Sequence, residues 1–179
     1  DDIALPGMLH VAFARSPVAR GRIVSLDVSA ARDLPGVHAV YTQADIAHFD
    51  AKLLSFFLTP PEIVITPLAD DRVAYVGEPV ALIVADSRAL AEDAASMVEL
   101  VCDEEVPAVS IADAMRMEPV HPDTDDNIAA EAGEAEMGEE LEAVFASAAY
   151  RQSQRVVHQR ISQSPMETRG VVATRDGPE

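Results

Sequence analysis

The stretch Val73-Ala-Tyr-Val-Gly-Glu-Pro-Val-Ala-Leu-Ile-Val84 decides the fold, because apolar and β-branched residues dominate it on both sides of Gly77 and Pro79. Such residues favour strands. Pro79 donates no hydrogen bond to a ladder, and Gly77 tolerates unusual backbone angles. The stretch therefore predicts a strand pair, or one strand with a bulge.

A helix is predicted directly after this strand region. Asp86 and Ser87 offer side-chain oxygens for an N-cap, and Glu92 and Asp93 follow early, where the helix dipole favours anions. Apolar residues then recur about one turn apart, at Leu90, Ala94, Met97 or Val98, and Val101. This spacing predicts a helix near 87–97 that packs on the sheet through a narrow face of small residues.

The start of the chain shows a similar pattern of strands and turns. Strands are predicted over 8–14 and 23–28, joined by a basic loop that contains Arg15, Arg20 and Arg22. A short helical turn follows, ended by a Pro-Gly pair, and a third strand ends at Tyr41. The side chains expected in the core are Phe13, Val24, Leu26, Val80, Leu82 and Val84.

Several sequence blocks occur here in one order. They include Leu5-Pro-Gly-Met-Leu-His-Val-Ala-Phe-Ala-Arg-Ser-Pro17, Leu34-Pro-Gly-Val37, Tyr75-Val-Gly-Glu-Pro-Val-Ala81, Val120-His-Pro-Asp123 and Gln163-Ser-Pro-Met-Glu-Thr-Arg-Gly-Val-Val-Ala173. Together they closely resemble the N-terminal α/β-hammerhead region of the molybdenum-binding large subunit of the xanthine dehydrogenase, aldehyde oxidase and carbon monoxide dehydrogenase family. The last block resembles the first strands of that family's cofactor-binding domain.

The resemblance implies an α+β fold, an α/β-hammerhead with a mixed sheet and packed helices. The hammerhead domain is expected over 1–118 and the start of a molybdopterin-binding domain over 150–179. An acidic linker with one possible helix, at 139–149, is expected over 119–149, where acidic residues crowd and no Lys or Arg occurs between Arg116 and Arg151. Strand-like runs at 150–161 and 170–174 are expected to pair as sheet edges with a further domain.

The resemblance also implies an enzymatic context. The chain is expected to be the front part of the large catalytic subunit of a molybdenum hydroxylase that oxidises an aldehyde, an N-heterocycle or carbon monoxide. Molybdopterin is expected in the complete subunit, and 2Fe-2S clusters and FAD in partner subunits or domains. The expected partners are an iron–sulfur small subunit and an FAD medium subunit, in a homodimer of the heterotrimer. No residue here is assigned to catalysis, cofactor binding or metal binding. The alternative is a stand-alone hammerhead module for binding or assembly.

Composition limits the possible partners and compartments. The 179-residue chain carries a formal charge of -18, which argues against nucleic acid or an anionic membrane as partner, because phosphate binding needs clustered Lys and Arg. No run approaches the length of a membrane span. Cys102 is the only cysteine, so the chain has no internal disulfide, which suits the cytoplasm, with export of the folded protein to the periplasm as the alternative.

One acidic segment resembles a calcium-binding loop. From Asp123 to Glu134, oxygen-bearing side chains occupy the first, third, fifth, ninth and twelfth positions of such a loop. The sixth position, normally Gly for a sharp turn, holds the β-branched Ile128, and no entering helix precedes the loop. The sequence therefore favours a solvated linker over a calcium site.

The remaining reactive side chains favour structural roles. The histidines form no close pair with one another or with a cysteine, so a metal site built from His10, His38, His48, His121 and His158 is not expected. Acidic neighbours raise the pKa of a thiol, which favours a packing role for Cys102. Glu167 is interpreted as a structural ion-pair residue. The basic loop lacks a Gly-rich cradle for an anion, so its arginines are expected to form a solvated or interdomain contact face.

Overall fold

A computed structural model of the chain describes residues 3–49, 65–121, 123–128, 138–159, 161 and 164–174. Within these residues, six strands form two three-stranded sheets. Sheet A contains β1 (His10–Arg15), β5 (Pro79–Ala85) and β3 (Val37–Tyr41), in that order. β5 occupies the centre, in keeping with its uninterrupted apolar sequence PVALIVA, which is typical of a strand with both faces buried.

Sheet B contains β4 (Arg72–Val73), β2 (Gly21–Asp27) and β6 (Glu99–Glu104), in that order. All four strand pairings in the two sheets are antiparallel. The α+β class predicted from the sequence is therefore confirmed, while the strand directions differ from the predicted mixed sheet.

Five short α-helices accompany the sheets in the described residues. They are α1 (Ser29–Arg32), α2 (Gln43–Ile46), α3 (Arg88–Ser96), α4 (Ile111–Ala114) and α5 (Gly138–Ser147), with a 3-10 turn over Ala47–Phe49 after α2. The predicted helix near 87–97 is confirmed as α3. Its N-cap is Ser87, whose hydroxyl accepts a hydrogen bond of 3.2 Å from the amide of Leu90.

The strand region 73–84 is divided between the two sheets. β4 pairs with β2 in sheet B, whereas β5 pairs with β1 and β3 in sheet A, so the predicted pairing of the two halves with each other is wrong. Gly77, with a φ of 92°, lies in the turn between them and donates its amide hydrogen to the carbonyl of Ser16. The turn redirects the chain from one sheet to the other.

The helical pattern extended to Val101 is also wrong. α3 ends at Ser96 and β6 begins at Glu99. Leu100 and Cys102 pack against the core while Val101 is exposed, which is the two-residue alternation of a strand. The sequence here fits both a helical spacing and a strand alternation, and the structure forms the strand.

The core lies between sheet A and α3 and continues to residues of sheet B. Ala91 and Ala94 on α3 are fully buried, as are Ala81, Ile83 and Ala85 on β5. The predicted helix face of small residues is thus confirmed. Small side chains on both surfaces bring the helix close to the sheet.

Several residues expected in this core lie elsewhere. Val80 is buried and Leu26 packs against the core, but Phe13 and Val24 are exposed. Leu82 and Val84 are only half-buried. The reason is that an apolar strand does not reveal which of its faces a helix covers, and α3 covers the face with the smaller residues.

The chain divides into two compact units. One consists of Leu5–Glu131, and the other of Ala132–Glu179 together with Asp1–Ala4. In the second unit, α5 lies where a helix at 139–149 was predicted. The described residues of 150–174 contain no strand, so the expected sheet pairing there, like the boundaries at 118 and 149, stays a prediction.

Candidate functional site

The three arginines of the basic loop lie in different environments. Arg15 is exposed, donates from Nη1 to the carbonyl of Gly77 at 2.8 Å, and lies 5.5 Å from the centre of the Phe13 ring. Arg22 forms an exposed ion pair of 2.8 Å with Asp103, whereas Arg20 is buried. The expectation of one solvated or interdomain contact face is therefore wrong for Arg20.

Arg20 belongs to an ionic cluster with Glu105 and Arg72, called the ionic clamp below. Its Nε lies 3.0 Å from Oε2 of Glu105, within ion-pair distance. Arg72 donates from Nη2 to Oε1 of the same carboxylate. The hydrogen bond and the charge of Arg72, with the charge of Arg20, lower the pKa of Glu105.

Strand pairing places the clamp. Gly21 pairs with Glu104 across β2 and β6, so the flanking residues Arg20 and Glu105 meet, and the amide of Glu105 donates to the carbonyl of Arg20 at 2.9 Å. Arg72 lies on β4, on the other side of β2. The clamp thus joins the same end of all three strands of sheet B.

The clamp also holds the segment that leaves sheet B. Arg20 donates from its guanidinium to the carbonyls of Val106, at 3.4 Å, and Pro119, at 3.1 Å. Because its charge is balanced by Glu105 and its other donors are engaged, Arg20 is unsuited to bind an external anion. Sequence reasoning missed Glu105 and Arg72 as partners, since only the register of three strands brings them together.

The calcium-like loop is described over 123–128, whereas Glu131 and Glu134 lie outside the described residues. The side chain of Asn127, at the fifth loop position, accepts from the amide of Val120 at 2.7 Å and donates to the carbonyl of Ala114 at 2.8 Å. Asp126 accepts from the amide of Ile128. Asn127 therefore ties the loop to α4 and to the segment that follows α4, so this candidate ligand serves a structural role.

Each of the five histidines has its own surroundings. His38 is paired with Asp86 at 2.7 Å, and the ring of His48 lies 3.9 Å from that of Phe49. His10 is half-buried in β1, the carbonyl of His121 accepts from Thr124, and His158 is exposed. Across the described part of the chain, His, Cys, Asp and Glu residues form no cluster of three suited to a metal ion.

Cys102 is half-buried on β6 and packs against the core. Burial, followed by the charges of Glu104 and Asp103, raises the pKa of its thiol. A thiol that stays protonated is a poor nucleophile and a poor metal ligand. This environment supports the packing role predicted for Cys102.

Glu167 lies in the exposed segment 164–174. Within the described residues no ion pair with Arg169 is formed. The structural role proposed for Glu167 from its sequence neighbours stays a prediction.

An apolar surface covers the side of sheet A opposite α3, and it includes Phe13, Leu82 and Val84, which the sequence analysis assigned to the core. On it, Val11 and Ala39 flank Val84, and Phe13 and Tyr41 flank Leu82, in two rows across the three strands. Val11 is 51% exposed, and Phe13 and Tyr41 are each 41% exposed. These six residues, called the outer face below, carry no charge.

Comparison with known proteins identifies the fold. Residues 1–105 match the family model described as "Aldehyde oxidase and xanthine dehydrogenase, a/b hammerhead domain". This match confirms the resemblance inferred from the sequence blocks and, with the solved structures below, the hammerhead fold.

Individual relatives align over most or all of the chain. The large subunit of nicotine 6-hydroxylase from Paenarthrobacter nicotinovorans is 38% identical over 100% of this chain and 22% of its own length. Quinoline 2-oxidoreductase from Pseudomonas putida 86 superimposes with a TM-score of 0.70 and 35% identity, over 83% of this chain and 19% of its own. The Cu,Mo-CO dehydrogenase superimposes with a TM-score of 0.67 and 33% identity, over 83% of this chain and 20% of its own length. The chain thus spans about a fifth of these relatives.

Proposed function

Since the chain belongs to the aldehyde oxidase and xanthine dehydrogenase family, we propose that it serves as the hammerhead part of the large subunit of a molybdenum hydroxylase. The observation that carries this proposal is the alignment of the whole chain with the large subunit of nicotine 6-hydroxylase. The substrate class proposed is an N-heterocycle, an aldehyde or carbon monoxide. Nicotine, quinoline and carbon monoxide appear in the names of the similar proteins.

The proposed role of this chain is to scaffold and not to react. Its buried arginine is balanced by Glu105, and its thiol at Cys102 has a raised pKa. Neither Arg20 nor Cys102 therefore suits the shell of free, oriented donors that a molybdopterin needs. We propose that residues outside this chain hold that cofactor and supply the base.

The assembly proposed around the large subunit has three kinds of chain. A small subunit with 2Fe-2S clusters and a medium subunit with FAD would carry electrons away from the molybdenum, in a dimer of heterotrimers. Support comes from the relative named as a large subunit, which itself implies partner chains. No helix among the described residues has the length and apolarity to cross a bilayer. A cytoplasmic location is proposed from the single, unpaired cysteine.

The test compares this 179-residue chain with the product of its complete reading frame and the neighbouring frames. Molybdenum content and dye-linked oxidation of nicotine, quinoline, an aldehyde and carbon monoxide are measured on both. We expect molybdenum and turnover in the larger assembly alone. Molybdenum or turnover in the 179-residue chain would contradict the scaffold role. A reading frame that adds no cofactor-binding domain would favour the stand-alone module.

A further inference from the structure

The two sides of sheet A differ in the size of their side chains. The side under α3 is lined largely by alanines, among them Ala14, Ala81 and Ala85. The outer face presents Phe13 and Tyr41 beside Leu82 instead. A sheet that ends at solvent usually carries polar residues on its free side, whereas a sheet covered on both sides carries apolar runs like that of β5. The aromatic side chains of sheet A therefore lie on its uncovered side.

We propose that the outer face is the docking surface for the rest of the large subunit, which forms the second layer on sheet A. This inference rests on the proposed function. The relatives that align with this chain are about five times as long, so they contain ample chain to supply such a layer. Burying an uncharged apolar surface of this kind is the main favourable term in the association of domains.

Charge argues against a second copy as the occupant. Each chain carries a formal charge of -18, so two copies that meet face to face repel each other. The outer face itself offers no charged group to offset that repulsion. At its rim, Arg15 is already engaged with the carbonyl of Gly77 and lies over the Phe13 ring.

The occupant must therefore be largely apolar where it meets the two rows of side chains. Leu82 and Val84 lie at the centre of the sheet and are half-buried already, whereas Val11 and Phe13 on β1 keep about half of their surface free. Most of the newly buried area would come from the two edge strands. Val11 is the most sensitive position at which to detect that burial.

The experiment labels single cysteines with a maleimide in a Cys102→Ala background. Val11→Cys reports on the outer face, and Ser25→Cys, at an exposed position of β2 in sheet B, is the matched control. Labelling rates are measured on the 179-residue chain, at low and high concentration, and on the complete large subunit. We expect Val11→Cys to react at least about 100-fold more slowly in the complete subunit, while Ser25→Cys changes far less.

Every other result overturns the inference. Equal labelling of Val11→Cys in both proteins would leave the outer face free. Equal protection of both positions would show coverage that is not specific to this face. If Val11→Cys in the 179-residue chain reacts more slowly as the protein concentration rises, a second copy covers the outer face. If it reacts slowly at every concentration, the chain itself covers that face. Molybdenum content of the same complete subunit reports separately on the proposed function, so either hypothesis can fail alone.

A second readout checks the energetic role of the outer face. Phe13→Ser removes a large apolar side chain from it, and Val24→Ser removes an exposed apolar side chain from sheet B. In the complete subunit we expect Phe13→Ser to lower the melting temperature by several degrees more than Val24→Ser does. In the 179-residue chain the two variants should differ little. The reverse order would contradict the docking role.

Discussion

The guanidinium of Arg20 lies 3.0 Å from the carboxylate of Glu105, with only 10% of the arginine side chain exposed. Removing one partner of a buried ion pair leaves the other charge uncompensated, at about 3–5 kcal/mol when both are fully buried. Glu105 keeps 34% of its side chain exposed, which reduces the effect. The stability of sheet B is therefore expected to depend on the carboxylate of Glu105.

We expect Glu105→Gln to lower the free energy of unfolding by about 2–3 kcal/mol. The matched control is Asp103→Asn, which breaks the exposed pair with Arg22 and should change stability much less, because solvent screens an exposed pair. Urea unfolding of both variants provides the measurement. Equal losses would show that the clamp contributes no more than a surface pair.

The clamp also predicts a pH dependence. The hydrogen bond from Arg72 and the nearby arginine charges lower the folded-state pKa of Glu105, so its contribution to stability is complete above the ordinary glutamate value of about 4.3. That contribution is lost as the pH falls through the lowered folded-state pKa. The stability difference between the wild-type chain and Glu105→Gln should shrink below about pH 4.3. A difference that stays constant down to pH 3 or so would contradict the assignment.

Burial on β5 alternates between adjacent residues from Ala81 to Ala85. Ile83 is fully buried under α3 and Leu82 is half-buried on the outer face. We expect Ile83→Ala to lower the free energy of unfolding of the 179-residue chain by about 2–5 kcal/mol. Leu82, which the sequence analysis also expected in the core, is only half-buried, so we expect Leu82→Ala to cost only about 1 kcal/mol. Comparable losses in chemical denaturation would show that something already covers Leu82.

These neighbours show how far sequence reasoning reaches. The existence of α3 and of β5 followed from local patterns, because N-capping, helical spacing and apolar runs act within a few residues. Local patterns did not show which of Leu82 and Ile83 is buried, because both are apolar. Only the position of α3 distinguishes the two faces of the strand. Patterns also failed at Val101, where helical spacing and strand alternation overlap.

The clamp was beyond sequence reasoning for another reason. Arg20, Arg72 and Glu105 are separated along the chain, and they meet only because β4 and β6 both pair with β2. Pairing register is a long-range property that no local motif encodes. The resemblance to the family, in contrast, depended on ordered blocks of sequence, and the comparisons confirmed it.

The turn before β3 requires a glycine. Gly36 has a φ of 88°, and an added Cβ would lie 2.7 Å from Cδ2 of Leu90 and 2.9 Å from Oδ2 of Asp86. Gly7 has a similar φ of 74° but open space around it. We expect Gly36→Ala to lower stability by about 2–3 kcal/mol and Gly7→Ala by about 1 kcal/mol, since only the first adds a clash to the strain. Thermal unfolding that ranks them the other way would contradict this account.

The acidic loop at 123–134 is expected to bind no calcium with useful affinity. Asn127 uses its amide for the backbone of Val120 and Ala114, and Ile128 occupies the position where a calcium loop turns sharply on Gly. Calcium added to about 1 mM should give no saturable heat in calorimetry and no shift of the melting temperature, because a ligand stabilises only the state it binds. Glu134→Gln is the control, and it should behave as the wild-type chain does. A one-to-one isotherm in the wild-type chain that this substitution abolishes would establish a metal site in the segment.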